Sequence, residues 1–313
     1  MNTTLSSPLQ PTATAHAGER ALVLGGGGST GNAWLIGVIA GLFDAGLDVT
    51  TADVTIGTSA GSTAAAQFAG ATPPELYAAI LAAAQPPSRA AAPERERERE
   101  RNSSKPVTEH LDRMRSLIDS SAGAADMRRR MGAAALERDA VAGDSWNTQW
   151  RATVASRLPS QHWPERTVLI TAVDAENGEP VVFDRDSGVE LTDAVAASCS
   201  SGFAYGIGGH RYIDGGYRSN AENADLAAGY RRVLVLAPFG GRSLTPMGWG
   251  THLSTQIAEL RAHGSAVETV FPGSDAEHLF GANAMDLALR PPAARSGYEL
   301  GRARAGHLAE FWR

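Results

Sequence analysis

Twice near its start the chain runs from a short apolar stretch into a glycine turn and out into a helix-like segment. ALVLGGGG (residues 21–28) leads into NAWLIGVIAGLFDAG, where Trp34, Leu35, Val38, Ile39 and Leu42 fall at helical spacing. ADVTIGTSAGS repeats the arrangement: residues 54–57 read as a buried strand, Ser59 as a tight turn, and residues 60–66 as a helix of small side chains. Two consecutive strand-loop-helix units restrict the chain to an α/β fold with a mostly parallel sheet covered by helices.

Length and composition narrow the function. The 313 residues suffice for one large or two ordinary domains, and 43% hydrophobic content suits a buried core. Acidic side chains (34) exceed basic ones (28), and the net charge of -6 disfavours nucleic acid as a partner. The single cysteine, Cys199, has no intramolecular disulfide partner and forms no thiolate cluster for a structural metal. The single lysine, Lys105, lies in a polar stretch, which argues against P-loop and Schiff-base chemistry. The N-terminus lacks a basic start followed by an apolar core, and the longest apolar run, 33–43, is well short of the ~18 residues of a membrane span. A cytoplasmic location is the expectation.

Residues 1–18 are polar, aperiodic and expected to be a disordered tail; residues 19–313 are read as one domain. Within it, 72–164 is rich in Ala, Arg and Pro and is expected to be a helical insertion or cap. It contains a charged linker, 94–106, that begins with ERERERER. Val107, Leu111, Met114 and Ile118 form one apolar helical face, expected to pack in the core, with Met127 and Met131 continuing it. Strand character returns at 167–173 and in EPVVFDR, a helix is expected at 191–197, RYIDGG contains a short strand, and 233–238 is another. The C-terminal part reads as helical. Asp184 and Asp186 lack full calcium-loop spacing and read as a solvated turn, and Arg128, Arg129 and Arg130 as a solvated helix face.

GTSAG (57–61) is a GxSxG between a strand and a helix, the setting in which that turn lifts a serine above the sheet edge at a helix N-terminus. Ser59 is therefore the candidate nucleophile. GGGGSTG (25–31) has two readings. The amides around Gly26, Gly27 and Gly28 can form an oxyanion hole beside Ser59. Gly26, Gly28 and Gly31 also satisfy a dinucleotide fingerprint, with Asp48 or Asp53 placed for a ribose hydroxyl. A serine nucleophile needs a base, and no histidine sits in a recognisable catalytic context. Asp214, in IDGG after a short strand, can be aimed at the carboxyl edge of the sheet. A Ser/Asp/His esterase of α/β-hydrolase type and a non-catalytic nucleotide-binding protein remain as alternatives.

Taken in order, 25–31, GTSAGS (57–62) and DGG (214–216) resemble the patatin-like lipid acyl hydrolases, supported by AASCSS (196–201) and NADLAAG (223–229). The likeness spans roughly residues 19–240. It implies a three-layer α/β/α fold, a catalytic Ser59/Asp214 dyad, an oxyanion hole from Gly26, Gly27 and Gly28, and hydrolysis of fatty-acyl or soluble carboxylic esters without cofactor or metal. It also leaves room for transient peripheral contact with a membrane. The chain departs from the family in three places: Thr30 stands where Arg or Lys is usual, Ser201 and Gly202 where proline is, and Ala221 follows Asn220 in place of proline.

Overall fold

The computed structural model describes residues 18–83, 109–142 and 144–313; the 1–17 tail and the charged linker 94–106 lie outside them. The strands are β1 (Gly18–Leu24), β2 (Val54–Gly57), β3 (Thr167–Asp174), β4 (Pro180–Phe183), β5 (Tyr205–Ile207), β6 (His210–Asp214), β7 (Tyr230–Leu236) and β8 (Ala266–Val270). The helices are α1 (Gly28–Asp44), α2 (Ala60–Gly70), α3 (Pro73–Ala82), α4 (109–119), α5 (Ala124–Ala142), α6 (Asp144–Ala155), α7 (Leu191–Ser198), α8 (Leu253–Ala262) and α9 (Arg290–Trp312). The described part of the 72–164 insertion is thus mostly helical.

β8, β7, β1, β2 and β3 pair in parallel, in that order. The inner strands are buried on both faces. Leu22 and Leu24 of β1, with Leu234 and Leu236 of β7, point into one core shared with α1, α2 and α9. Ala21, Val23, Val233 and Val235 point into the other, under α8. Two helical layers therefore enclose the sheet, as expected of strands that read as continuous apolar runs.

The registers around β3 position the site. Ile170 pairs with Gly57 of β2 and Phe183 of β4, while Ala172 pairs with Val181 of β4 and Asp214 of β6. A strand has two edges and β4 holds one, so β2 and antiparallel β6 share the other. They meet head to head, the C-terminal end of β2 against the C-terminal end of β6, with Thr171 between them.

Some expectations need correction. The C-terminal part is not wholly helical, because Ala266–Val270 forms β8 on the open edge of β7; upstream of it, Tyr205–Ile207 adds a strand, β5, on β6. Both are short, and an unpaired neighbour decides such strands more than their own residues do. β1 begins at Gly18, ahead of its apolar run, because the Glu19 and Arg20 amides donate to Asp53 and Gly18 pairs with Tyr230. Ile118, Met127 and Met131 are buried against Val173 and Ile213, so the apolar face expected on α4 and α5 packs in a core, Val107 lying outside the described residues. The arginine run is not all solvated: Arg128 donates to the Gly178 and Arg218 carbonyls, whereas Arg129 and Arg130 pair with Asp126.

α1 and α9 run side by side in the same direction at backbone contact. A Cβ at Gly37 would lie 2.1 Å from the Ala294 carbonyl oxygen, and one at Gly41 2.1 Å from that of Tyr298. Reciprocally, Cβ atoms at Gly297 and Gly301 would meet the Trp34 and Val38 carbonyl oxygens at 2.4 and 2.2 Å.

Candidate active site

The turn after β2 is strained at one residue. Ser59 has φ 52° and ψ -112°, outside the comfortable range of a residue with a Cβ. A conformation of this kind costs on the order of 1–3 kcal/mol and persists only where its surroundings impose it. The surroundings are visible: the Thr58 amide donates to Leu24 O and the Ser59 amide to Ser198 Oγ at 2.9 Å. Ser59 O accepts from Ser62 Oγ at 2.6 Å and Cys199 Sγ at 3.1 Å. Gly61 has no room for a side chain, since a Cβ there would lie 1.9 Å from Leu24 O. Only glycine lets α2 start this close to β1.

This turn presents Ser59 Oγ, half-buried, 2.9 Å from Asp214 Oδ2, to which it donates. The Gly216 amide donates to the other carboxylate oxygen at 2.8 Å. Asp214 is buried, and desolvation raises its pKa to about 6 despite the opposing pull of the bonds from Gly216 and Ser59. A carboxylate shifted this way is a better proton acceptor at neutral pH than an exposed one.

The glycine loop lies alongside: a Cβ on Gly26 would sit 3.6 Å from Ser59 Cβ. Not all of its amides are available. Gly25 donates to Leu236 O, Gly26 to Ala221 O at 2.8 Å, and Thr30 to Ala284 O at 3.0 Å. Gly26 therefore cannot also donate to an oxyanion, which leaves Gly27 and Gly28 of the expected three, at the N-terminus of α1.

Several residues that hold this arrangement were not anticipated one by one. Asn223, buried and left-handed at φ 54°, donates to Thr58 Oγ1 at 3.0 Å and Gly215 O at 2.9 Å, tying the elbow to the turn after Asp214. Thr171 Oγ1 lies 2.9 Å from Thr58 Oγ1. Asn220 caps this loop from below, accepting from the Glu222 and Asn223 amides. Ser198 and Asn223 belong to stretches that resemble the family, so a sequence signal existed for them; Thr171 had none.

The alternatives fare differently. Among the described residues no histidine bonds to Ser59 or Asp214: His110 meets Ser201, His252 Thr245 O, His263 Glu259 O, His278 Asp275 O, and His307 Glu268. Asp53 receives the Glu19 and Arg20 amides at the start of β2, the opposite end of the sheet from the glycine loop, and Asp48 caps a short turn through Thr50. Neither is placed for a ribose. Asp184 accepts from Asp186 and Ser187 in a surface turn. Gly202 has φ 98°, a value closed to proline.

Among the described residues no helix is long and apolar enough to cross a membrane. No curated protein sequence matches the chain. Among solved structures, VipD from Legionella pneumophila is similar at a TM-score of 0.40 and 12% identity, over 94% of this chain and 67% of that one. Residues 22–226 match the Patatin-like phospholipase family, a stretch that runs from β1 through the glycine loop, Ser59 and Asp214. The chain belongs to the patatin-like phospholipase family, and its class of chemistry is lipid acyl hydrolysis.

Proposed function

We propose that the protein is a serine acyl hydrolase in which Ser59 is the nucleophile, Asp214 its base, and the Gly27 and Gly28 amides the oxyanion hole. The observation that carries this reading is the 2.9 Å bond from Ser59 Oγ to a buried Asp214 at a strained strand-to-helix turn beside the glycine loop. As Oγ attacks the ester carbonyl, Asp214 takes its proton and the amides hold the negative oxygen. The ester C–O bond then breaks, and the alcohol leaves with that proton. Water, deprotonated by Asp214, attacks the acyl-enzyme; the fatty acid departs and Ser59 regains its hydrogen. The substrate class is a fatty-acyl ester of a lipid or a soluble carboxylic ester, met in solution or by transient contact with a membrane surface.

Ser59→Ala and Asp214→Asn are each expected to abolish hydrolysis of p-nitrophenyl esters in folded protein. Combining them should cost little more than either alone, because the two act as a unit. A fluorophosphonate should label wild type at Ser59 and leave Ser59→Ala unlabelled. Substantial turnover by folded Ser59→Ala would overturn the reading.

A further inference from the structure

Arg290, the first residue of α9, lies far outside the 22–226 stretch that carries the family match, yet it contacts the start of α1, directly after the glycine loop. One guanidinium nitrogen donates to Ser29 O at 2.7 Å and Ser29 Oγ at 3.1 Å, and the other to Asn32 Oδ1 at 3.1 Å. Ser29 and Asn32 form the first turn of α1, directly after the glycine loop. Asn32 passes the contact on, since its Nδ2 donates to Gln67 Oε1 at 2.9 Å and Ala60 O at 3.4 Å on α2, the helix that begins at the nucleophile. One side chain thus ties the start of α9 to the start of α1, and through Asn32 the contact continues to α2, at Gln67 and at the first carbonyl, Ala60 O.

The electrostatics argue against a role in stability alone. Cations stabilise helix C-termini and are disfavoured at N-termini, where the amides already carry partial positive charge. Arg290 sits at two such ends. Among the described residues no carboxylate pairs with it, and the neighbouring charge it feels is the like charge of Arg157. Burial, aided by Arg157, lowers its pKa to about 10, so it is still charged at neutral pH. A half-buried charge without a counterion still loses part of its hydration, and a neutral amide can meet a carbonyl and a hydroxyl without that cost. What a fixed cation here adds is a rigid, positively charged brace next to amides that must hold an anion in the transition state.

We propose that Arg290 is a positioning residue for acyl transfer, its planar guanidinium bracing the first turn of α1 against α2 so that the Gly27 and Gly28 amides keep their place beside Ser59. The proposal rests on the Ser59/Asp214 reading above. Parallel packing of α9 on α1 explains how it gets there, because helices that run in the same direction bring their N-termini together, and the two prolines that follow Arg290 fix the backbone that presents it.

The test compares wild type with Arg290→Ala and Arg290→Lys on a p-nitrophenyl ester, with melting temperature and the rate of fluorophosphonate labelling measured in parallel. A displacement of about 1 Å in a catalytic group costs roughly 100-fold. Arg290→Ala is therefore expected to lose about 100-fold in kcat with KM nearly unchanged, and to label Ser59 correspondingly slowly. Arg290→Lys, which restores the charge but only one of the fork's directions, should fall between. Added guanidinium ion should recover part of the Arg290→Ala rate without raising its melting temperature, a response a purely structural role would not give. A folded Arg290→Ala with kcat within threefold of wild type, or a loss carried by KM alone, would overturn the proposal. If Arg290→Ala does not fold, Arg290→Lys decides: reduced kcat at unchanged melting temperature supports it, and unchanged kcat overturns it. Wild type that neither labels nor hydrolyses esters would overturn the underlying reading; active wild type with an indifferent Arg290→Ala would overturn only the brace.

Discussion

Asp214 carries two demands that pull in opposite directions. It must be ionised to take the Ser59 proton, and it is buried, which penalises ionisation and raises its pKa to about 6. Because the charged form is the base, kcat/KM is expected to rise about tenfold per pH unit on the acid side and to level off above an apparent pKa near 6. A pH-rate profile with p-nitrophenyl esters checks this; an acid limb centred near 4 would mean that the carboxyl is solvated during turnover. Cys199 shows the same environment from the other side: burial pushes its thiol up, and the neutral S–H donates to Ser59 O in support of the strained turn. A thiol whose pKa is raised in this way has little nucleophilic character.

At the scale of elements, the pairing of α1 with α9 matters most, because α1 carries the glycine loop at its N-terminus. Two glycines on each helix leave no Cβ at the four closest approaches, and the backbones meet where side chains would otherwise keep them apart. Gly37→Ala and Gly301→Ala each put a methyl group into a backbone carbonyl that has nowhere to move. Each is expected to cost about 2–3 kcal/mol, a fall of several degrees in thermal melts, despite alanine's better helix propensity. Gly306 lies on the same helix with open space around it. There the propensity term acts alone, and Gly306→Ala should stabilise by about 0.5–1 kcal/mol. Equal effects at 37 and 306 would show that the helices do not meet at the glycines.

Across the whole molecule, the feature least explained by stability is Glu222. It is fully buried beside Gly25, and neither carboxylate oxygen has a hydrogen-bond partner. Desolvation raises its pKa from the ordinary 4.5 to about 7. The folded protein therefore keeps this proton through a pH range in which the unfolded chain has released it. Stability falls as pH rises from about 4.5 to about 7 and is level above, by an amount on the order of 3 kcal/mol. Glu222→Gln removes that dependence. Its melting temperature should match wild type near pH 4 and exceed it at pH 8, with a smaller residual decline below pH 6 from Asp214, whose shift has the same sign. Parallel melting curves for the two proteins would refute this account.

The sequence by itself determined the α/β class, the two strand-loop-helix units and the helical character of the insertion, because these depend on local periodicity and on glycines whose role is read within a few residues. It also singled out Ser59 and Asp214 as candidates, since each lies in a short turn next to a strand. Their meeting was decided by tertiary structure: β2 and β6 share one edge of β3 because β4 occupies the other, a matter of register that joins Gly57 to Ile170 and Ala172 to Asp214. The same holds for the loss of Gly26 as a donor, which depends on Ala221 across the cleft, and for the paired glycines of α1 and α9, which read separately as helix-weakening residues. Arg290 was invisible for the same reason. In the sequence it is one cation before two prolines; its partners, Ser29 and Asn32, are brought to it by packing between the two ends of the chain.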